Sequence, residues 1–150
     1  GAVNADALAG LERDGYALVP GALAAEAVAG LREALAPWRG VGVRDLASKS
    51  PAVAALAAGP VVRDLVAPVL GPGARLVRSI LFDKRPEANW HVAWHQDLSV
   101  AVAEAADVPG FVAASVKEGI AHVQPPVSVL EGMVTLRLHL DDADGGNGAL

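Results

Sequence analysis

The 150-residue chain contains no cysteine, so it can form neither a disulfide nor a metal site built on thiolates. Any metal that it holds must be bound by histidine and carboxylate side chains, a set of donors that favours iron, manganese or zinc. A chain without cysteine also fits a reducing compartment, and we expect a cytoplasmic protein.

The chain also lacks long apolar runs and grouped positive charges. No hydrophobic stretch approaches the roughly 18 residues needed to cross a bilayer, and GAVNADALAG at the start has no features of a signal peptide. Lys and Arg number 12 against 17 Asp and Glu, which gives a net charge of −5. We therefore expect a small molecule as partner, and neither nucleic acid nor membrane. Because residue 1 is not methionine, we also expect the natural chain to begin further upstream.

Apolar residues make up 53% of the chain, enough to bury a core, and we expect a single domain over residues 1–150. The first part, about residues 1–70, has mainly helical patterns. AAEAVAGLREALAPW at residues 24–38 repeats its apolar residues at helical spacing, and Gly59–Pro60 divides the next apolar stretch into two shorter helices. GYALVPG at residues 15–21 predicts a short strand.

From about residue 74 the pattern favours strands. ARLVRSILFDK and WHVAWHQDLSVAV are predicted to be extended, and GMVTLRLHLDD at residues 132–142 is the most regular strand pattern in the chain. One face of this last strand is apolar and the other polar, so the polar face must lie in water or line a polar cavity. The apolar face comprises Val134, Leu136, Leu138 and Leu140, and the polar face Thr135, Arg137 and His139.

The segment WHVAWHQDLSV, residues 90–100, contains the candidate metal ligands. On a helix, His91 and His95 would share a face, as in zinc hydrolases, but Val92 stands where those enzymes carry their glutamate base. On a strand, His95 and Asp97 point the same way with Cα atoms about 6.6 Å apart, whereas His91 lies about 13 Å from His95. Strand geometry therefore favours His95 and Asp97 as the pair.

A histidine and an aspartate in this spacing supply two of the three side chains of the facial triad that holds iron in non-haem Fe(II) oxygenases. Two further residues could contribute to a site. Arg137 would suit a cavity that holds an anionic ligand, although a solvated outer face explains it equally well. His122 could face a substrate or be a hydrogen-bonded loop histidine.

Three segments, LFDKRPEANWHVAWHQD, GIAHVQPP and MVTLRLHLDDADGGNGAL, resemble the phytanoyl-CoA dioxygenase family of Fe(II)- and 2-oxoglutarate-dependent oxygenases, in particular its bacterial members. The resemblance extends from about residue 15 to the end of the chain. It implies an α+β, mainly β fold, with N-terminal helices packed on a double-stranded β-helix, or jelly-roll, core. It also implies hydroxylation of a small organic substrate by O2, with 2-oxoglutarate converted to succinate and CO2.

The resemblance assigns roles to individual residues. His95 and Asp97 match two iron ligands, Arg137 and Ile80 match positions that contact 2-oxoglutarate, and His122 would face the substrate.

Four other residues of these segments receive other interpretations. Lys84 matches a recurrent lysine of no assigned role, or lies at a solvated strand end. His139 precedes the family's distal ligand and is not expected to bind iron. Trp90 and Trp94 are expected to pack on the strand face opposite His95.

In the family, the distal iron-binding histidine and the arginine that anchors 2-oxoglutarate follow the segment that here ends in NGAL. We therefore expect a jelly roll that is incomplete at the C-terminus and a chain that is inactive by itself. Two alternatives stay open: a non-catalytic jelly roll that binds a ligand, and a zinc hydrolase that uses His91 and His95 on a helix.

Overall fold

The computed structural model describes residues 3–38 and 42–146 and has a mixed architecture of helices and small antiparallel sheets. The helices are α1 (Ala5–Asp14), α2 (Ala25–Leu35), α3 (Leu46–Lys49), α4 (Pro51–Ala58), α5 (Pro60–Leu70) and α6 (Val127–Glu131). The strands are β1 (Val43–Arg44), β2 (Ile80–Leu81), β3 (Val100–Ala101), β4 (Val112–Lys117) and β5 (Ile120–Gln124).

The helices predicted in the first part of the chain are confirmed. Helix α2 lies within the predicted range 24–38, and α4 and α5 are separated at Gly59. The Ser50 side chain accepts a hydrogen bond from the backbone N–H of Val53, and proline occupies the first position of both α4 and α5, where its missing N–H costs nothing. These end signals are local, which is why the sequence reveals them.

Few of the described hydrophobic side chains are buried. Within the described part of the chain, the buried hydrophobic side chains come from α2, α3, α5 and β5; they are Leu31, Leu35, Leu46, Leu65 and Val123. No single described helix is long and apolar enough to span a membrane, although α4 and α5, bent by 45° at their junction, pass that test as a pair by length and composition.

Two antiparallel sheets position the polar residues. In the first, β1 pairs with β2, with Arg44 opposite Ile80. The second has the order β3–β5–β4, with His122 of the central strand opposite Ala101 on one side and Ser115 on the other. Strands β4 and β5 are joined by Glu118 and Gly119, which both have positive φ values, 52° and 78°, as a two-residue type I′ hairpin turn requires.

Several predicted strands are not formed as such. Residues 15–21 contain no strand, and the segment from residue 74 to 84 pairs only at Ile80–Leu81. The predicted segment from residue 90 to 102 pairs only at Val100–Ala101. Residues 133–139 form no hydrogen-bonded ladder, although their exposure does alternate with a period of two as the pattern predicts. Among the described residues, the two sheets do not make up a double-stranded β-helix.

Candidate metal and ligand site

His95 and Asp97 lie close together on a segment that is neither helix nor paired strand. His95 Nε2 is 3.7 Å from Asp97 Oδ1. Two donors bound to one ion at about 2.1 Å and at right angles lie about 3.0 Å apart, so the observed separation is within about 1 Å of the separation in a shared site. The segment has no helix over residues 91–97, so the shared helical face that a zinc hydrolase would need for His91 and His95 is not formed.

The orientation of the His95 ring favours metal binding through Nε2. Its Nδ1 lies 2.8 Å from the carbonyl oxygen of Ala93. Because a carbonyl can only accept, Nδ1 carries the hydrogen, and in the neutral ring Nε2 keeps its lone pair. This is the arrangement seen in metal-binding histidines, in which a hydrogen bond from the second nitrogen fixes the tautomer and the direction of the first.

Asp97 uses its second oxygen to contact a cation. Arg78 Nη2 lies 3.5 Å from Asp97 Oδ2, while Oδ1 faces His95. The Asp97 side chain is 68% exposed and that of Arg78 29%. The carboxylate is thus accessible from solvent, oriented between an imidazole and a guanidinium.

Other predicted ligands are not brought to this pair. Among residues 3–38 and 42–146, no three histidine, aspartate or glutamate side chains lie close enough to hold one ion. Arg137 is exposed on the segment after α6, and Ile80 is half-buried in β2; neither lines the two cavities next to Arg78. Their proposed contact with 2-oxoglutarate stays a prediction.

The larger of these cavities, about 330 Å³, lies between the two sheets and contains charged side chains. Arg44 and Asp45 reach it from the end of β1, Arg78 from the segment before β2, and His122 from β5. His122 lies in β5, the central strand of the larger sheet, so the prediction that it is a loop residue is wrong. Its side chain is 1% exposed. The prediction that it faces a ligand is compatible with its place in the cavity wall.

A second cavity of about 140 Å³ lies on the other side of Arg78. Its wall includes Asp97, Ser99 and Thr135 together with Arg78. Arg78 therefore lines both cavities and also contacts one of the two candidate metal ligands.

The aromatic residues near the pair have different roles. Lys84 Nζ donates to the carbonyl oxygen of Trp90 at 2.9 Å and lies 4.7 Å from the centre of the Trp90 ring. Phe82 packs against the same ring, with centroids 6.1 Å apart. Lys84 thus has a structural role as a hydrogen-bond and cation–π partner. Trp90 packs as predicted, whereas Trp94 is fully exposed, so the packing role predicted for Trp94 is wrong.

The sequence pattern did not reveal Arg44 and Arg78. Neither belongs to a recognisable motif, and the two share a cavity because β1 pairs with β2. Comparison of the chain with family models, with curated proteins and with solved structures gives no match.

Proposed function

We propose that this chain is part of an Fe(II)- and 2-oxoglutarate-dependent oxygenase that hydroxylates a small organic substrate and releases succinate and CO2. The observation that carries the proposal is the placement of His95 Nε2 3.7 Å from Asp97 Oδ1, with the lone pair of Nε2 left available by the bond from Nδ1 to Ala93. The resemblance of the surrounding segments to phytanoyl-CoA dioxygenases supports the same conclusion.

In this proposal His95 and Asp97 hold the iron, and bound Fe(II) would supply the activation of O2. The chain's own residues orient the two donors. The Ala93 carbonyl fixes the His95 ring. Arg78 contacts the other oxygen of the Asp97 carboxylate, which orients the carboxylate, while the positive charge of Arg78 opposes that of a bound metal ion. Contacts of Arg137 and Ile80 with 2-oxoglutarate, and of His122 with the substrate, belong to the proposal. So does a double-stranded β-helix core, of which the antiparallel strands β3, β5 and β4 would form part.

The metal ligands are tested by titrating the chain with Mn(II), which has the same donor preference and charge as Fe(II) and does not oxidise in air. We expect weak binding, because the described residues offer two ligands rather than three. His95→Ala or Asp97→Asn should reduce the affinity at least tenfold. His91→Ala is the matched control, since it removes a neighbouring imidazole, and it should leave the affinity unchanged. Loss of binding in the His91 variant alone would overturn the assignment.

A second assay tests the activity of the chain by itself. With Fe(II), ascorbate, O2 and 2-oxoglutarate we expect no succinate, because a third ligand and a carboxylate anchor are needed. Succinate formation above that of the Asp97→Asn variant would refute this expectation. In a longer chain that carries a third ligand, His95→Ala should abolish consumption of 2-oxoglutarate, and turnover that survives it would refute the role of His95.

The alternative function is a ligand-binding protein without redox chemistry, and the cavity of about 330 Å³ favours it. The two functions differ in whether His95 and Asp97 bind a metal ion. A binding protein would take a ligand with unchanged affinity after His95→Ala and would show no specific Mn(II) site.

A further inference from the structure

The larger cavity carries more positive than negative charge. Arg44 and Arg78 both line it, and Asp45 contributes the carboxylate in its wall. One oxygen of the Asp45 carboxylate, Oδ2, accepts a hydrogen bond from the hydroxyl of Ser48, and the carboxylate keeps its single negative charge. The residues that line the cavity therefore include two arginines against one aspartate.

The two guanidinium groups have donors to spare. Arg44 Nε lies 3.7 Å from Glu118 Oε1, and Arg78 Nη2 lies 3.5 Å from Asp97 Oδ2. A tight guanidinium–carboxylate bond is about 2.7–2.9 Å long, so both contacts are loose. Each guanidinium has five N–H donors in a planar fork, and one loose contact leaves room for a bidentate bond to another carboxylate.

His122 contributes a group of the opposite kind. Its Nδ1 lies 2.9 Å from the carbonyl oxygen of Ile120, in the same strand, and therefore donates its hydrogen there. In the neutral ring Nε2 is then an acceptor, held on a nearly inaccessible side chain in the cavity wall. A ligand that satisfies this cavity must accept hydrogen bonds at one end and donate one at another.

We propose that the cavity binds a small organic carboxylate that carries a hydroxyl or ammonium group on the adjacent carbon. Arg44 and Arg78 donate to the carboxylate, and His122 Nε2 accepts from the hydroxyl or ammonium group. A volume of about 330 Å³ is large enough for an acid of four or five carbons. Binding does not require iron; only the role of this molecule as the oxidised substrate rests on the proposed function.

Four acids of similar size distinguish the features of the ligand. Malate, aspartate and succinate differ at one carbon, which bears a hydroxyl, an ammonium group or hydrogen, and 2-oxoglutarate has a ketone that cannot donate. In metal-depleted buffer, calorimetry should show that malate or aspartate binds about tenfold more tightly than succinate or 2-oxoglutarate. A preference for malate identifies the hydroxyl and a preference for aspartate the ammonium group. Equal affinities for all four acids, or no binding of any, would overturn the proposal.

Variants test the arginines. Arg44→Gln and Arg78→Gln, checked for folding by circular dichroism, should each weaken binding of the preferred acid about tenfold. Arg63→Gln, on an exposed position of α5 away from the cavity, removes the same charge and should leave binding unchanged. If Arg63→Gln has as large an effect as the other two, general charge attraction explains binding and the site is wrong. Binding of malate by His95→Ala, which lacks a proposed iron ligand, separates failure of the oxygenase proposal from failure of this one.

Discussion

Replacing Arg78 by glutamine should strengthen divalent metal binding at His95 and Asp97. Arg78 Nη2 lies 3.5 Å from Asp97 Oδ2, so its charge competes with a metal for the same carboxylate. At this distance two unit charges attract by about 1.2 kcal/mol at the dielectric constant of water and by about 4.7 kcal/mol at an effective value of 20.

The lower value applies here, because the Asp97 side chain is 68% exposed and that of Arg78 29%, so solvent screens the pair. Exposed ion pairs contribute at most about 1 kcal/mol, which corresponds to a roughly fivefold lower Kd for the metal once the arginine is removed.

Calorimetric titration with Mn(II) at two salt concentrations measures this effect. The gain should shrink between roughly 0.01 and 1 M salt, because the screening length falls from about 30 to about 3 Å. The matched control is Arg75→Gln, which removes the same charge from an exposed position three residues earlier in the chain. Metal binding by Arg78→Gln that is no tighter than by Arg75→Gln, or a gain that is independent of salt, would refute the electrostatic reasoning.

Three further predictions concern stability and are measured by urea denaturation. Leu46→Ala, at a buried position, should lower the free energy of unfolding by about 2–5 kcal/mol. Leu18→Ala, at an exposed position, should change it by less than about 0.5 kcal/mol. Similar effects of the two changes would mean that Leu46 is not in the core. Ser50→Ala removes the N-terminal cap of α4 and should cost about 1 kcal/mol, and an unchanged stability would argue against the cap. Gly119→Ala, at a φ of 78°, should lower the free energy of unfolding by about 1 kcal/mol. Gly73 has no positive φ, so Gly73→Ala should stay within about 0.5 kcal/mol of the wild type. Equal effects of the two changes would contradict the type I′ turn.

The helices could be predicted from the sequence because their signals are local. The apolar spacing of α2 and the Gly59–Pro60 break between α4 and α5 lie within the segments that they describe. A strand needs a partner from elsewhere in the chain, and no local pattern supplies one. Residues 133–139 show this clearly, since their side chains alternate in exposure as predicted although the backbone pairs with no strand.

The hairpin of β4 and β5 is the opposite case, because it forms although no turn signal in the sequence predicts it. Its turn begins with Glu118, a residue that seldom adopts a positive φ, so the sequence lacks the Asn-Gly or Asp-Gly signal of a type I′ turn. The side chain of Glu118 accepts a hydrogen bond from the backbone N–H of Arg44 at 3.2 Å, which links the hairpin to the smaller sheet. A long-range contact of this kind can offset a local backbone preference, and it cannot be seen in the turn itself.

The residues of the candidate site also differ in whether their proximity is local or depends on strand pairing. His95 and Asp97 were predicted as a pair because only one residue, Gln96, separates them in the sequence, so their proximity is fixed by the local chain. Arg44 and Arg78 come together only through the register that places Arg44 opposite Ile80. The sequence shows that both residues are arginines, but it does not show that they lie close together.

Because Arg78 lines both cavities and holds Asp97, binding events on its two sides are thermodynamically linked. A carboxylate that neutralises the guanidinium from the larger cavity weakens its pull on Asp97 and its repulsion of a divalent ion. The anion should then raise the affinity for metal, and by reciprocity the metal should raise the affinity for the anion by the same factor. One arginine would thus make the two ligands cooperative without any movement of the backbone.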